Sequence, residues 1–257
     1  MAGERLLEGR VALITGAASG QGRAASTLFA EHGARIVIAD LNDDGAAETV
    51  GLVEEVGGKA VAVHADVSRR ADNDAMVAAA VEAFGHLDVL YNNAAIQMSG
   101  RLVDTTEQQW DAAIATNLSA IFWACRAAMP HLRDGGGGSI INTASVLGLV
   151  GSDGYAAYGA AKAGLVALTR QLATEHGPEV RANVIAPGSI DTPRFRRVAA
   201  EMPKGDEFVA GLLDAIPMHR LGVAPDIAGA ALFLASDLSA YTSGAVIPCD
   251  GGLAALR

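Results

Sequence analysis

Asn117, Ser145, Tyr158 and Lys162 are the residues whose types and spacing can do chemistry. Tyr158 and Lys162 lie four apart in a helix-forming stretch, which projects both from one helical face. Ser145 precedes the tyrosine by thirteen residues, just after the apolar run Ser139-Ile140-Ile141-Asn142. An ammonium beside a phenol stabilises the phenolate and lowers a pKa that is about 10 in model peptides. The tyrosine then becomes a usable acid and base near neutral pH. A serine hydroxyl close by is placed to hold the oxygen that gains or loses the proton. Such a set suits interconversion of an alcohol and a ketone, provided a second group supplies the hydride.

A candidate site for that second group stands near the N-terminus. Thr15-Gly16-Ala17-Ala18-Ser19-Gly20-Gln21-Gly22 lies between a strand-like run and a helical one. Glycines permit a tight turn and let the backbone approach a pyrophosphate, and a helix N-terminus offers bare N–H groups. Gly16, Ser19, Gly20, Gln21 and Gly22 are therefore cofactor candidates. Asp40, eighteen residues after Gly22, is placed to accept hydrogen bonds from ribose hydroxyls and to repel a 2′-phosphate. Its neighbours Leu41 and Ser19 add no positive charge, which favours NAD over NADP; the alternative is that Asp40 caps the next turn. Asp66 could bond an adenine amino group with Val67 packed on the ring, or could cap a helix. Asn93, Ala94 and Ala95, after Asn92, allow close approach to the adenosine ribose, or form a plain turn.

Positioning these residues takes alternating elements. Strand candidates are Val11–Thr15, Arg35–Ala39, Ala60–His64, Val89–Asn92, Gly138–Asn142, Arg181–Ile185 and Ala245–Pro248. Between them lie helical stretches at Gly22–His32, Gly45–Val56, Arg70–Phe84, Thr106–Leu132, Tyr155–His176 and Pro225–Leu234. Several strands are nearly all apolar, as when both sheet faces are covered. The pattern predicts an α/β fold: one Rossmann domain over residues 1–257, with a doubly wound, seven-stranded parallel sheet and helices on both faces. One irregular region, residues 190–218, breaks the rhythm after Pro187-Gly188 and is expected to be an insertion covering the substrate.

The bulk numbers agree. The chain has 257 residues, 51% hydrophobic, and a net charge of −10. That charge argues against a nucleic-acid partner. Cys125 and Cys249 give neither a disulfide framework nor metal-ligand spacing, so no metal is expected. Charges interrupt the first ten residues, and the long uncharged stretch 135–152 reads as loop, strand and loop. No membrane span and a cytoplasmic location are expected.

Taken together, Thr15-Gly16-x-x-x-Gly20-x-Gly22, Asp66, Asn92-Asn93-Ala94, Asn117, Ser145, Tyr158-x-x-x-Lys162 and Pro187-Gly188 resemble the classical short-chain dehydrogenases/reductases over essentially the whole chain. The resemblance implies that Tyr158 is the acid/base, that Ser145 polarises the substrate oxygen, and that Lys162 lowers the tyrosine pKa and binds the nicotinamide ribose. It implies that Asn117 holds a water in a proton relay to Lys162. It also implies that Ile190 and Thr192, after Pro187 and Gly188, contact the nicotinamide carboxamide, and that hydride passes between substrate and NAD. Ala95 stands where the family usually has glycine. A homotetramer built partly on the C-terminal edge is a further implication. Gln97, Val146, Leu147, Tyr155 and Phe195 are pocket candidates, and their apolar character suits a medium-sized hydrophobic or alicyclic alcohol or ketone. Sugar, steroid and 3-oxoacyl substrates stay open. Arg194, Arg196 and Arg197 are placed to pair a substrate anion, though a solvated face or a subunit contact is the commoner use. Two other readings are a dinucleotide-sensing protein without turnover and a sugar-nucleotide epimerase. The intact Tyr158–Lys162 pair argues against the first, and the short C-terminal part against the second.

Overall fold

The computed structural model describes residues 5–256, the side chain of Leu256 excepted. Apolar runs become strands and the intervening stretches become helices: β1 (Val11–Thr15), α1 (Gly20–Glu31), β2 (Arg35–Asp40), α2 (Asp43–Glu55), β3 (Lys59–His64), α3 (Arg70–Phe84) and β4 (Val89–Asn92). Then come α4 (Glu107–Ile114), α5 (Ala120–Asp134), β5 (Gly138–Thr143), α6 (Ala156–His176) and β6 (Val180–Pro187). Two-residue β7 (Ile190–Asp191), α7 (Pro193–Glu201), α8 (Gly205–Ala215), β8 (Gly222–Val223), α9 (Ala224–Ala235) and β9 (Val246–Cys249) follow.

Seven strands form one sheet in the order β3-β2-β1-β4-β5-β6-β9, each pairing parallel. Chain order reverses between β1 and β4, which opens a crevice at their carboxyl ends; ligands bind there in open α/β sheets. Burial on both faces explains the unbroken apolar strands. Along β1, Val11 and Leu13 join one core, which packs under α3, α5 and α6. Ala12 and Ile14 join the other, under α1 and α9.

Two expected elements differ. The helical stretch Thr106–Leu132 is broken: a π turn, Ala115–Ser119, separates α4 from α5. The run Glu107–Asp134 is long and apolar enough to cross a membrane. Here Ile121, Ala124, Cys125, Ala128 and Leu132 of α5 lie buried in the core. The region expected to be irregular, 190–218, contains α7 and α8 and a two-residue ladder in which Ile190 faces Gly222. Thr192 caps α7, its Oγ1 accepting from the Phe195 N–H at 3.2 Å with Pro193 at the first helical position. That is a start signal legible in Thr-Pro. Neither α7 nor α8 has a fully buried residue, so neither adds to the two cores.

Candidate active site

The turn between β1 and α1 is shaped by what its glycines touch. Gly16 has φ +66°, and a Cβ there would lie 2.8 Å from the Ala94 Cα. A Cβ on Gly22 would run into the Gly16 carbonyl oxygen and lie 2.8 Å from both the Ala17 Cα and the Asn93 Nδ2. The turn thus packs tightly on the loop after β4. Thr15 Oγ1 accepts from the Asn93 and Ala94 N–H groups, both at 3.0 Å. Asn93 Nδ2 donates to the carbonyls of Thr15 (3.0 Å) and Gly16 (3.2 Å). The Asn93 side-chain amide thus locks the glycine turn. Thr15, which heads the glycine motif in the sequence with no role of its own, is the pin.

The residues fit a dinucleotide. The Ser19 side chain makes no capping bond, and no acidic residue stands in the first turn of α1. The bare N–H groups therefore meet an anion without competition. Gln21 Oε1 is buried without a partner, an acceptor left for a bound group. Asp40 Oδ2 accepts from the Ala18 N–H at 2.9 Å and Oδ1 from the Asn42 N–H at 3.0 Å, and each oxygen keeps lone-pair capacity. Asp40 has no cation beside it in the sequence. The fold supplies Arg23, which donates to the Ala18 carbonyl but is held by Glu48 at 2.8 Å and Thr49 at 3.0 Å. Leu41 is exposed. Asp66 closes a local turn rather than a helix cap: its Oδ1 accepts from the Ser68 N–H at 3.0 Å and the Ser68 hydroxyl at 2.7 Å, and the N-cap of α3 is Arg69. Val67 is buried in the core.

Across the crevice, β5 ends at Thr143 and delivers Ser145 to the N-cap of a short 3-10 turn, Val146–Gly148. Helix α6 carries Tyr158 and Lys162 on its buried face. Ser145 is 8%, Tyr158 8% and Lys162 1% exposed. The fold therefore brings together three of the four catalytic candidates that lie 17 residues apart in sequence. Lys162 Nζ donates to the Thr143 carbonyl at 2.7 Å and sits 5.7 Å from the Tyr158 ring centroid. Burial pushes the lysine down to about 7, and the charge of Arg194 adds to the fall. Burial likewise raises the Tyr158 phenol, while a hydrogen bond from Ser145 and the charge of Arg194 pull it back. The expected lowering by Lys162 is not among these effects. In this arrangement the lysine charge is itself disfavoured, and Ser145 and Arg194 supply the opposing effects.

Asn117 is fully buried in the π turn. Its Nδ2 donates to the Ile96 and Ala113 carbonyls (2.9 and 3.0 Å), and its Oδ1 accepts from the Ile96 N–H (3.2 Å). The side chain thus fixes the loop after β4. Gly188 approaches Asp250 closely, where a Cβ would lie 2.9 Å from its Cα, and its N–H bonds the Cys249 carbonyl, anchoring the turn after Pro187. Ile190 is buried in the second core. Thr192 faces Gly20, 3.5 Å from its Cβ position, while its hydroxyl caps α7. Both residues flank the crevice, and the Thr192 hydroxyl, which accepts the capping bond, keeps its proton to donate.

Among pocket candidates, Leu147, Tyr155 and Phe195 are half-buried and Gln97 is exposed. Val146 is buried, 5% exposed, and so supports the pocket rather than lining it. Phe195 packs on Phe208 with ring centroids 6.5 Å apart, joining α7 to α8. The loop after β4 is clasped to the segment before α6 by a Gly100–Tyr155 bridge and by Arg101–Asp153 at 2.6 Å. A separate groove of about 760 Å³ between α5 and α6 contains none of the candidate residues. No cluster of metal-ligating side chains occurs among the described residues.

Residues 16–254 match the family model described as enoyl-(acyl carrier protein) reductase. A 2,5-dichloro-2,5-cyclohexadiene-1,4-diol dehydrogenase of Sphingobium indicum is 41% identical over 96% of this chain and 96% of its own. The chain belongs to the short-chain dehydrogenase/reductase family. As a member it is an oxidoreductase that uses a nicotinamide cofactor. The family also holds a 3-oxoacyl-[acyl-carrier-protein] reductase of Thermotoga maritima, 39% identical over 96% of this chain and 98% of its own. In fold, the crystal structure of levodione reductase superposes with a TM-score of 0.91 at 35% identity, covering 98% of this chain and all of that one.

Proposed function

We propose that this short-chain dehydrogenase/reductase is an NAD-dependent enzyme that interconverts a secondary alcohol and a ketone, with Tyr158 as acid/base. The observation that carries the reading is the convergence of Ser145, Tyr158 and Lys162 at the end of β5, across the crevice from a bare helix N-terminus. The glycine turn and α1 hold the pyrophosphate, Asp40 the ribose hydroxyls, and Lys162 the nicotinamide ribose. The nicotinamide supplies the hydride acceptor or donor. Tyr158 takes the hydroxyl proton during oxidation and returns it to the alkoxide during reduction. Ser145 holds the substrate oxygen with a preorganised hydrogen bond. Lys162 passes its proton outward; with the Asn117 side chain engaged, a water at that turn is held by main-chain carbonyls.

Asp40 supports NAD over NADP, because a 2′-phosphate would meet a carboxylate while Arg23 is paired with Glu48. The apolar surroundings of Leu147, Tyr155 and Phe195 support a hydrophobic or alicyclic substrate, the class to which a cyclohexadiene-diol dehydrogenase among its relatives points. A 3-oxoacyl reductase relative makes acyl thioesters the competing class. A cytoplasmic homotetramer acting on a small molecule completes the reading. The test is a panel of cyclic ketones, alicyclic alcohols and 3-oxoacyl thioesters followed at the NADH absorbance with both cofactors. Preference for NADP⁺, or turnover confined to thioesters, overturns the respective assignment.

A further inference from the structure

Arg194 opens α7 at the mouth of the crevice, and its partners differ from those of nearby arginines. Its Nη1 donates to the Ala95 carbonyl at 3.0 Å and its Nη2 to the Gln97 carbonyl at 3.1 Å. Both acceptors are neutral. Two residues on, Arg196 makes a two-pronged pair with Asp191 at 2.7 and 2.8 Å. Arg220 does the same with Asp226 at 2.7 and 3.0 Å. Among the described residues, no carboxylate forms such a pair with Arg194. Its charge nevertheless acts on both Tyr158 and Lys162, so it stands within electrostatic reach of the reacting pair.

A carbonyl satisfies an N–H donor but leaves the charge of a guanidinium unbalanced. A carboxylate satisfies both, in the parallel two-bond geometry that arginine presents. A lone cation at the mouth of a crevice also concentrates anions there, even on a protein of net charge −10. We propose that Arg194 binds a carboxylate on the substrate, so that the preferred substrates are hydroxy acids and oxo acids with an apolar body. This rests on the alcohol–ketone reading above and narrows it. The Ala95 and Gln97 carbonyls hold the guanidinium in place until the anion replaces one or both. Phe195 and Phe208 cover the apolar remainder.

The test reads binding, independent of turnover. The protein with NADH bound is titrated calorimetrically with acetoacetate, levulinate and a ketocyclohexane carboxylate, each against its methyl ester. At least one acid should bind about tenfold more tightly than its ester, as a charge-assisted pair requires. Arg194→Gln should remove that preference while ester binding changes by less than about twofold, and Arg194→Lys should keep part of it. Equal binding of every acid and its ester in the unaltered protein overturns the proposal. So does an equal loss on acid and ester in the glutamine variant. The cofactor phosphates are the other anion in reach: acid preference intact, with NAD⁺ binding weakened about tenfold, would assign Arg194 to them instead. Acid binding through Arg194 without turnover of any alcohol or ketone would defeat the reaction assigned above and leave this inference standing.

Discussion

The Tyr158 hydroxyl is pulled both ways: burial and Tyr155 raise its pKa, while Ser145 and Arg194 lower it. Removing the hydroxyl leaves the packing nearly unchanged, because the ring remains. Tyr158→Phe should therefore keep its melting temperature and NADH affinity and lose about a hundredfold or more in kcat, the usual worth of a positioned acid/base. An unaffected rate in a stopped-flow assay would remove Tyr158 from the mechanism. Lys162 makes a second prediction, through stability. Its pKa is about 7 in the fold against an ordinary 10.5, so between those values the unfolded chain holds a proton that the folded chain has released. Stability from this group thus rises with pH across that window, by at most about 1.4 kcal/mol per pH unit, and is lowest below it. Lys162→Met abolishes this dependence. Its stability relative to the unaltered protein should be most favourable below about pH 7 and should decline steadily toward about pH 9 in urea titrations. A difference that stays constant with pH would show that the amine carries its charge in the fold at ordinary cost.

At the scale of elements, the turn from β1 into α1 sets helix propensity against packing. Alanine is favoured over glycine inside a helix by about 1 kcal/mol. Gly51 in α2 has open space around its Cβ position, so Gly51→Ala should stabilise the protein by about 0.5–1 kcal/mol. Gly22 in α1 has none. Gly22→Ala should destabilise by about 1–3 kcal/mol, as overpacking does, and weaken NADH binding, because the added methyl pushes Gly16 and Asn93 apart. Chemical denaturation and NADH fluorescence titration of the two variants measure this contrast; a stabilised Gly22→Ala would show that the turn is looser than its contacts imply. The same turn shows what a sequence can and cannot disclose. Its glycine spacing and its place between a strand and a helix are local, and were readable. So were the seven strands, because an apolar run buried on both faces leaves its mark residue by residue. The locks between elements were not. Thr15 meets Asn93 across 78 positions and Arg194 meets Ala95 across 99, and nothing in the local sequence announces either partner. Asn117 was readable as important, but its bonds to Ile96 and Ala113 depend on a π turn that the even helical pattern of 106–132 conceals.

As a whole, the molecule has a rigid part and a less firmly anchored one. The seven-stranded sheet is packed on both faces, and Tyr158, Lys162 and Ser145 are set into that frame. Helices α7 and α8 have no fully buried residue. They rest on the frame through the β7–β8 ladder, the two bonds from Arg194 to the loop after β4 and, just past α8, the buried Ile216 and the Met218 N–H bond to the Gly251 carbonyl. Few buried apolar contacts mean a low free energy of local opening. Amides of α7 and α8 should therefore exchange with deuterium orders of magnitude faster than those of α6 in the free protein. A bound dinucleotide stabilises only the folded form, by about 2.7 kcal/mol at a hundredfold excess over Kd. The extra protection should not be uniform. It should be greatest at the start of α1, at 92–97 and across 188–213, which border the crevice, and small at the α5–α6 groove, which does not. Hydrogen exchange followed by mass spectrometry with and without NADH resolves these segments. If α7 and α8 are already as protected as α6 without the cofactor, the segment is a fixed wall, and substrate must enter by another opening. If their protection appears only with NADH, cofactor binding precedes closure, and the order in which the two ligands bind follows from the architecture.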